Sequence, residues 1–502
     1  MRIRHSVYVT IFAVAMSISL CSAQTKAVEK HAETLFEGRP FFTDSALYNL
    51  YDLGGSPLGI FEKEVPRFGA RVGYRYGGVG DMAGNYWDAP TFWMGDPGKS
   101  AVQIYYRPNA LSYADGDSGA IANLLLHRFG FVAASQGTSG AVRAAFSAGG
   151  FYGKQEWDKG DSARVIMGIE KLRLDVGSQV HPLVRIGFYI GANLLYDTLY
   201  NSAVTPHRDC SAHTNLPEFG GSVDVGGEEL PVRAVADFSY AFSGFSYSLY
   251  PGQYNTPLSA GFDGGDANAV KNDSLSVFLT VRSRTLQVAD GKFAFKPGLF
   301  LGYTGNSGEM REPDHGDNYP IPLLFGGARE GLQYSLNSFR FGVGSGFEAL
   351  GYVDAHVEYS LAALWLNCGP RYTGTAVEKS RTLHNVAVGV SSRMNKYIDM
   401  PAEITPRLAW FTTGNTNAAG AALSRLGFEP LNVEPGMSKH KLYEPQNFLD
   451  GFTRTSGFTI GADCSALEGS FNVAVWTTFL SSGADDGDGG IEFGLRAEFL
   501  LK

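Results

Sequence analysis

The densest group of ligand-type side chains in the sequence is His207-Arg208-Asp209-Cys210-Ser211-Ala212-His213. His207, Cys210 and His213, with Asp209 as a fourth, offer the nitrogen, sulfur and oxygen donors that zinc or copper takes. The spacing is not that of a zinc finger, and a loop histidine is more commonly just solvated, so neither a metal nor any other cofactor is expected. Asp354, His356 and Glu358 form an acid-base-acid series, but polar residues at every second position are what any wet strand face carries. No Gly-x-Ser-x-Gly elbow occurs, the histidines are scattered, and no enzyme is expected. Asp115-Gly-Asp-Ser-Gly and Asp485-Asp-Gly-Asp-Gly-Gly lack the twelfth-position glutamate of an EF-hand loop and read as Asp-Gly turns.

A more extended constellation is basic. Arg67, Arg71, Arg75, Arg185, Arg282, Arg284, Lys292, Lys296 and Arg340 share the polar face of alternating segments, as do the acids Asp354, Glu358, Asp463, Glu492 and Glu498 on others. Lining a lumen, such arginines bias conduction toward anions or hold a plug through paired charges. The plainer reading is that they pair across the wall and stiffen it.

The elements that must carry these residues are strands. In Leu183–Tyr196, Val184, Ile186, Phe188, Ile190, Ala192, Leu194 and Tyr196 alternate with Arg185, Gly187, Gly191 and Asn193. A tilted strand crosses a bilayer in roughly nine to eleven residues, so a run this long with one apolar face points to a membrane wall rather than a core. The same period sets Phe68, Val72 and Tyr76 against Arg67, Arg71 and Arg75, and Ile491, Phe493 and Phe499 against Glu492, Arg496 and Glu498. Sixteen such segments run from 67–76 to 490–501, those at 101–107 and 403–412 being the weakest, so the count is about fourteen to sixteen. Insertions at 77–100, 197–231, 250–273, 305–331, 366–381 and 413–455 read as long loops, whereas Ala289-Asp290-Gly291 and Gly351 mark tight reversals. Trp87, Phe92, Trp93 and Met94 fall in the first long loop, and aromatics near strand ends fit interfacial girdles.

Arg2 and Arg4, the apolar stretch Val7–Leu20 and Cys21-Ser22-Ala23 make a signal peptide over residues 1–23. The bulky Leu20 fits lipid attachment at Cys21 poorly. No later run reaches about eighteen apolar residues, so a mature chain in a membrane must be a closed barrel. With 63 Gly, 34 Phe and 25 Tyr in 502 residues and 18% charged residues, the composition suits half-lipid, half-water strands. After signal removal Cys210, Cys368 and Cys464 allow at most one internal disulfide, and Cys464 lies on an apolar face as a small packing residue. The expected organisation is a 24–66 periplasmic or plugging segment followed by a barrel over 67–502.

Asn49-Leu-Tyr-Asp-Leu-Gly-Gly-Ser-Pro-Leu-Gly-Ile60 resembles the Asn-Pro-Ala-Gly-Leu segment of the long-chain fatty-acid outer-membrane transporter family, in which an N-terminal hatch plugs a fourteen-stranded barrel. Ser56-Pro57-Leu58-Gly59 stands in place of Asn-Pro-Ala-Gly, with Pro57 and Gly59 matching. The resemblance implies that 24–66 is the hatch, that movement centres on Ser56, Pro57 and Gly59, and that the cargo is apolar. The glycine- and aromatic-rich style also resembles spirochaete outer-membrane proteins. The chain departs from the usual barrel-assembly ending in Phe or Trp by closing on Leu-Leu-Lys.

The fold expected is thus all-β, an antiparallel transmembrane β-barrel of about 14–16 strands with a short N-terminal extension or hatch. The function expected is passive passage of small or hydrophobic solutes across the bacterial outer membrane after signal-directed export. The alternatives are a general diffusion porin and a surface adhesin or antigen whose external loops do the work; a soluble periplasmic β-sandwich is the non-membrane rival. Partners expected are outer-membrane lipid, the barrel-assembly machinery and the solutes, with no nucleic acid and with homo-oligomerisation left open.

Overall fold

A computed structural model describes residue 58 and residues 67–501, apart from 80–81, 97–99, 115–120, 137–140, 158–161, 202–207, 227–229, 250–265, 284–285, 311–331, 371–376, 399–401, 414–454, 468 and 483–488. The described chain is nearly all strand. In order these are β1 (Phe68–Val79), β2 (Met82–Asp96), β3 (Ser100–Ala114), β4 (Ile121–Gln136), β5 (Val142–Trp157), β6 (Ser162–His181), β7 (Val184–Asn201), β8 (Arg208–Val225), β9 (Val232–Leu249) and β10 (Asp266–Ser283). There follow β11 (Leu286–Val288), β12 (Phe293–Met310), β13 (Leu332–Ala349), β14 (Val353–Pro370), β15 (Val377–Ser392), β16 (Glu403–Thr413), β17 (Thr455–Ala466), β18 (Phe471–Ser482) and β19 (Gly489–Leu501).

Each strand pairs antiparallel with its neighbours in sequence, and β1 closes on β19 from Phe68 opposite Leu501 to Val79 opposite Gly490. β10 stays in register with β12 down to Arg282 opposite Gly298, and β11 resumes the pairing at Leu286 opposite Phe295. β11 therefore continues β10 along the wall, and the sheet is an eighteen-strand closed barrel. Closure leaves no edge strand, so every wall strand has a backbone partner on each side.

Turn chemistry fixes one end of the barrel. At the end holding Phe68 and Leu501, Ala289, Asp290 and Gly291 all have positive φ, as do Leu350 and Gly351, so the two reversals expected from sequence are tight turns. The wide connections over 250–265, 311–331 and 414–454 all leave from the opposite end. Among the described residues no helix is long and apolar enough to cross a membrane.

The all-β closed barrel is the architecture expected, and each of the sixteen segments read from sequence is a strand. The number is eighteen because two strands lie inside stretches read as loops. β2 was hidden by a bulge: its pairing with β3 jumps between Tyr86 and Thr91, across Asp88-Ala89-Pro90, which flips the parity of its apolar residues. Trp87 is exposed on one side of that irregularity and Phe92 and Met94 on the other. β8 begins with the polar run Arg208-Asp-Cys-Ser-Ala-His-Thr-Asn and carries Pro217, so its sequence looks like a loop although it is paired with β7 along its length. The fourteen strands implied by the fatty-acid transporter resemblance are likewise not what this chain forms.

Candidate functional site: the inward wall

Strand parity divides the wall into an apolar outer and a charged inner face. On β1, Phe68, Val72 and Tyr76 are exposed outward, while Arg71, only 1% exposed, and Arg75 occupy the other face. On β7 the outward Phe188 and Ile190 are 59% and 63% exposed, and Arg185 stands on the opposite face. Arg282 on β10, Lys296 on β12 and Arg340 on β13 are inward by the same parity, against outward Leu275 and Val277, Phe293 and Tyr303, and Phe339 and Val343. Arg67 lies in the bend before β1 and is exposed, and Lys292 is an exposed turn residue, so neither is on the wall proper. Arg284 lies outside the described residues. The acids Asp354, Glu358, Asp463, Glu492 and Glu498, together with His356, are all at inward positions.

Many of these charges are committed to one another. Arg173 on β6 donates from Nη2 to Asp175 Oδ1 at 2.7 Å and from Nε to both carboxylate oxygens at 3.0 Å. Its guanidinium also lies 3.5 Å from the centroid of the Tyr189 ring, a cation–π contact. Asp224 on β8 accepts from Arg233 at 2.7 and 2.9 Å and has Arg185 at 3.8 Å. Arg393, in the β15–β16 connection, reaches Asp354 at 3.6 Å and Glu403 at 3.8 Å, and Arg407 pairs with Asp463. Ser222 donates to Asp237, and Thr459 and Thr478 share a hydrogen bond of 2.8 Å inside the wall. The ion pairs sit toward the end that holds the two tight turns and Thr459–Thr478 toward the other, and most of them tie neighbouring strands through side chains as well as backbone.

Glycines make room for inward aromatics. A Cβ at Gly130 or at Gly149 would lie 2.5 Å from the Tyr105 hydroxyl, so the Tyr105 ring crosses β4 and β5 only because both positions lack one. Tyr189 occupies Gly220 in the same way, and Trp476 occupies Gly494. Trp476 Nε1 then donates to Glu492 Oε1 at 3.5 Å.

Other candidate residues are not brought together. Cys210 and His213 are three apart on β8, in register with Leu199 and Tyr196 of β7, and positions of opposite parity belong to opposite faces. The two candidate ligands Cys210 and His213 thus hold backbone positions on opposite faces, and His207 lies outside the described residues. Among the described residues no group of three or more His, Cys, Asp or Glu could hold a metal. Cys464 is a buried free cysteine. Ser56, Pro57 and Gly59 lie outside the described residues; Leu58 between them is almost wholly buried. Sequence reasoning passed over Arg107, Arg128, Arg143, Arg173 and Arg233, although the alternation that picked out Arg71 was present: Ile104 and Tyr106 are exposed, with Tyr105 and Arg107 between and beyond them.

No family model matches the chain, and no curated protein matches it. Solved structures similar to it include BauA, the ferric preacinetobactin receptor from Acinetobacter baumannii, at 8% identity and a TM-score of 0.36, covering 87% of this chain and 81% of that one. The outer membrane transporter YddB from Escherichia coli is similar at 8% identity and a TM-score of 0.42, covering 86% and 80%. OccK11 (OpdR) from Pseudomonas aeruginosa is similar at 10% identity and a TM-score of 0.35, covering 88% and 96%. At these values the likeness adds nothing to the architecture that the strand pairing itself defines.

Proposed function

We propose that the chain is a bacterial outer-membrane barrel that lets small solutes cross passively through its interior. The observation that carries this reading is the inversion of the wall: apolar side chains are exposed outward strand after strand, while arginines, acids and hydrogen-bonded hydroxyls face in. A soluble β-barrel or sandwich does the reverse, and only lipid outside with water inside makes this arrangement favourable. Barrels of sixteen to eighteen strands are wide enough to leave an aqueous channel. The inward cations Arg71, Arg75, Arg185, Arg282, Lys296 and Arg340 supply a bias toward anions, and apolar solutes remain the cargo if residues 24–66 act as a hatch. The natural partners are outer-membrane lipid and the machinery that assembles barrels.

Liposome swelling tests the passage itself. Vesicles containing the folded mature chain are expected to admit uncharged sugars at rates that fall steeply with sugar size. Vesicles as tight as protein-free controls to every sugar would instead favour the scaffold reading, in which the external connections, notably 311–331 and 414–454, bind a partner.

A further inference from the structure

Four tyrosines on the outward face repeat one arrangement. Tyr74 of β1, Tyr106 of β3, Tyr303 of β12 and Tyr359 of β14 place their hydroxyls 2.7 Å from Asn85 Oδ1, 2.6 Å from His127 Nδ1, 2.8 Å from Asn337 Oδ1 and 2.9 Å from His384 Nδ1. The partner is always on the next strand, opposite the residue two places beyond the tyrosine toward the end with the wide connections. Asn85 faces Tyr76, His127 faces Pro108, Asn337 faces Gly305 and His384 faces Leu361. All eight residues share the parity of exposed outward neighbours such as Val72, Phe129, Phe339 and Val388.

The pairs mark a change in the outer wall. On β12 the outward positions from Phe293 to Leu301 are apolar, whereas beyond Tyr303 they are Gly305, Ser307 and Glu309. On β13 those from Ala349 to Phe339 are apolar except Ser345, whose hydroxyl donates to the Gly346 carbonyl at 3.0 Å; beyond Asn337 they are Ser335 and Gln333. On β15 Val390, Val388 and Val386 give way past His384 to Thr382, Ser380 and Glu378. Residues 293–303 match the roughly nine to eleven positions that a tilted strand uses to cross hydrocarbon. The partners also share a chemistry. A phenol that donates to an amide oxygen leaves the amide N–H groups to be satisfied elsewhere, and one that donates to imidazole Nδ1 leaves a proton on Nε2. Such a donor is costly in hydrocarbon, and the first acceptors met on leaving it are the ester carbonyl oxygens of the lipid.

We infer that the four pairs form a lipid-binding belt, in which Asn85, His127, Asn337 and His384 donate to acyl-ester carbonyl oxygens of the leaflet at the wide-connection end. The belt sets the depth of the barrel, so that the outer face of β12, β13 and β15 beyond it stands in the headgroup layer and the medium outside. The inference rests on the membrane reading of the wall and not on what passes through the lumen.

The test compares lipids that differ only in this acceptor. The mature chain is folded into vesicles of a diester phosphatidylcholine and of the diether analogue with the same chains, which lacks the carbonyl oxygens, and is unfolded with urea. The midpoint is expected to be lower in the ether vesicles. A variant with Asn85→Leu, His127→Phe, Asn337→Leu and His384→Phe, and with the four tyrosines changed to Phe so that no hydroxyl is stranded, should unfold at the same midpoint in both lipids. Tyr359→Phe/His384→Phe alone should narrow the difference, which keeps the belt testable if the full variant does not fold. Equal midpoints for the native chain in the two lipids, or a difference undiminished in both variants, would overturn the belt. Nitroxides at Leu301→Cys and Ser307→Cys, with the native cysteines changed to Ala, read the depth separately. Oxygen should reach the first and a water-soluble nickel chelate the second, and exclusion of the chelate from both would overturn the placement. A chain that inserts but passes no solute would overturn the passage reading and leave the belt standing, whereas a chain that enters neither lipid would overturn both.

Discussion

Asp175 has no exposed surface and Arg173 keeps only 4% of its own, so this ion pair works in a space from which water is excluded. Removing one partner of a buried pair leaves an uncompensated charge, typically at a cost of about 3–5 kcal/mol. Asp175→Ala is therefore expected to lower the unfolding free energy, read from urea titration of the folded chain in lipid vesicles, by an amount in that range. Asp175→Ala combined with Arg173→Met should recover much of the loss, because it removes the stranded charge as well. A double variant as unstable as the single one would show that the pair contributes through packing on Tyr189 instead. The polarity of these positions was legible in sequence, since alternation puts Arg173 and Asp175 on one face. Their mutual commitment was not, because i, i+2 neighbours on any strand share a face whether or not they touch.

At the scale of the strand, the seats made by glycine decide how closely neighbours approach. Trp476 of β18 lies where a Cβ on Gly494 of β19 would be. Gly494→Ala must displace the indole from its buried position and its contact with Glu492, an overpacking cost of about 1–3 kcal/mol. Tryptophan emission should shift to the red in that variant. Gly494→Ala in a Trp476→Ala background should cost far less than in the native chain; equal costs in both backgrounds would place the strain elsewhere. Strand identity itself was readable wherever the period of two ran unbroken. It failed at β2, where the irregularity around Asp88-Ala89-Pro90 exchanges the two faces, and at β8, where a polar start and Pro217 imitate a loop. The failure at β8 bears on the candidate site, because Cys210 and His213 of the His-x2-Cys-x2-His motif are positions of opposite parity on a strand rather than neighbours in a loop.

For the molecule as a whole, the inward and outward faces should respond oppositely to charge. Ile190, 63% exposed on the outer wall, is expected to tolerate Lys poorly, since a Lys at the middle of a bilayer costs about 2–4 kcal/mol on a barrel's lipid face. Lys at Gly187, an inward position on the same strand, should be tolerated better if the interior is wet, and the two variants can be compared by folding yield into short-chain vesicles. Equal tolerance of both would contradict an outer face in lipid. The overall architecture was recoverable from the sequence because one physical rule, apolar out and polar in at period two, is repeated in sixteen of the eighteen wall strands. Strand number was less legible because β2 and β8 break that rule locally.

On the proposed reading, this wall encloses a water-filled path across a membrane. Its most direct test is the current carried by the purified mature chain in a planar lipid bilayer, in potassium chloride of unequal concentration on the two sides. Discrete conductance steps are expected, with a reversal potential displaced toward the chloride equilibrium value and the displacement reduced in Arg71→Gln/Arg75→Gln. Stable insertion with no steps at any voltage would contradict an open path, and a folded, soluble chain that never enters the bilayer would contradict the membrane reading altogether.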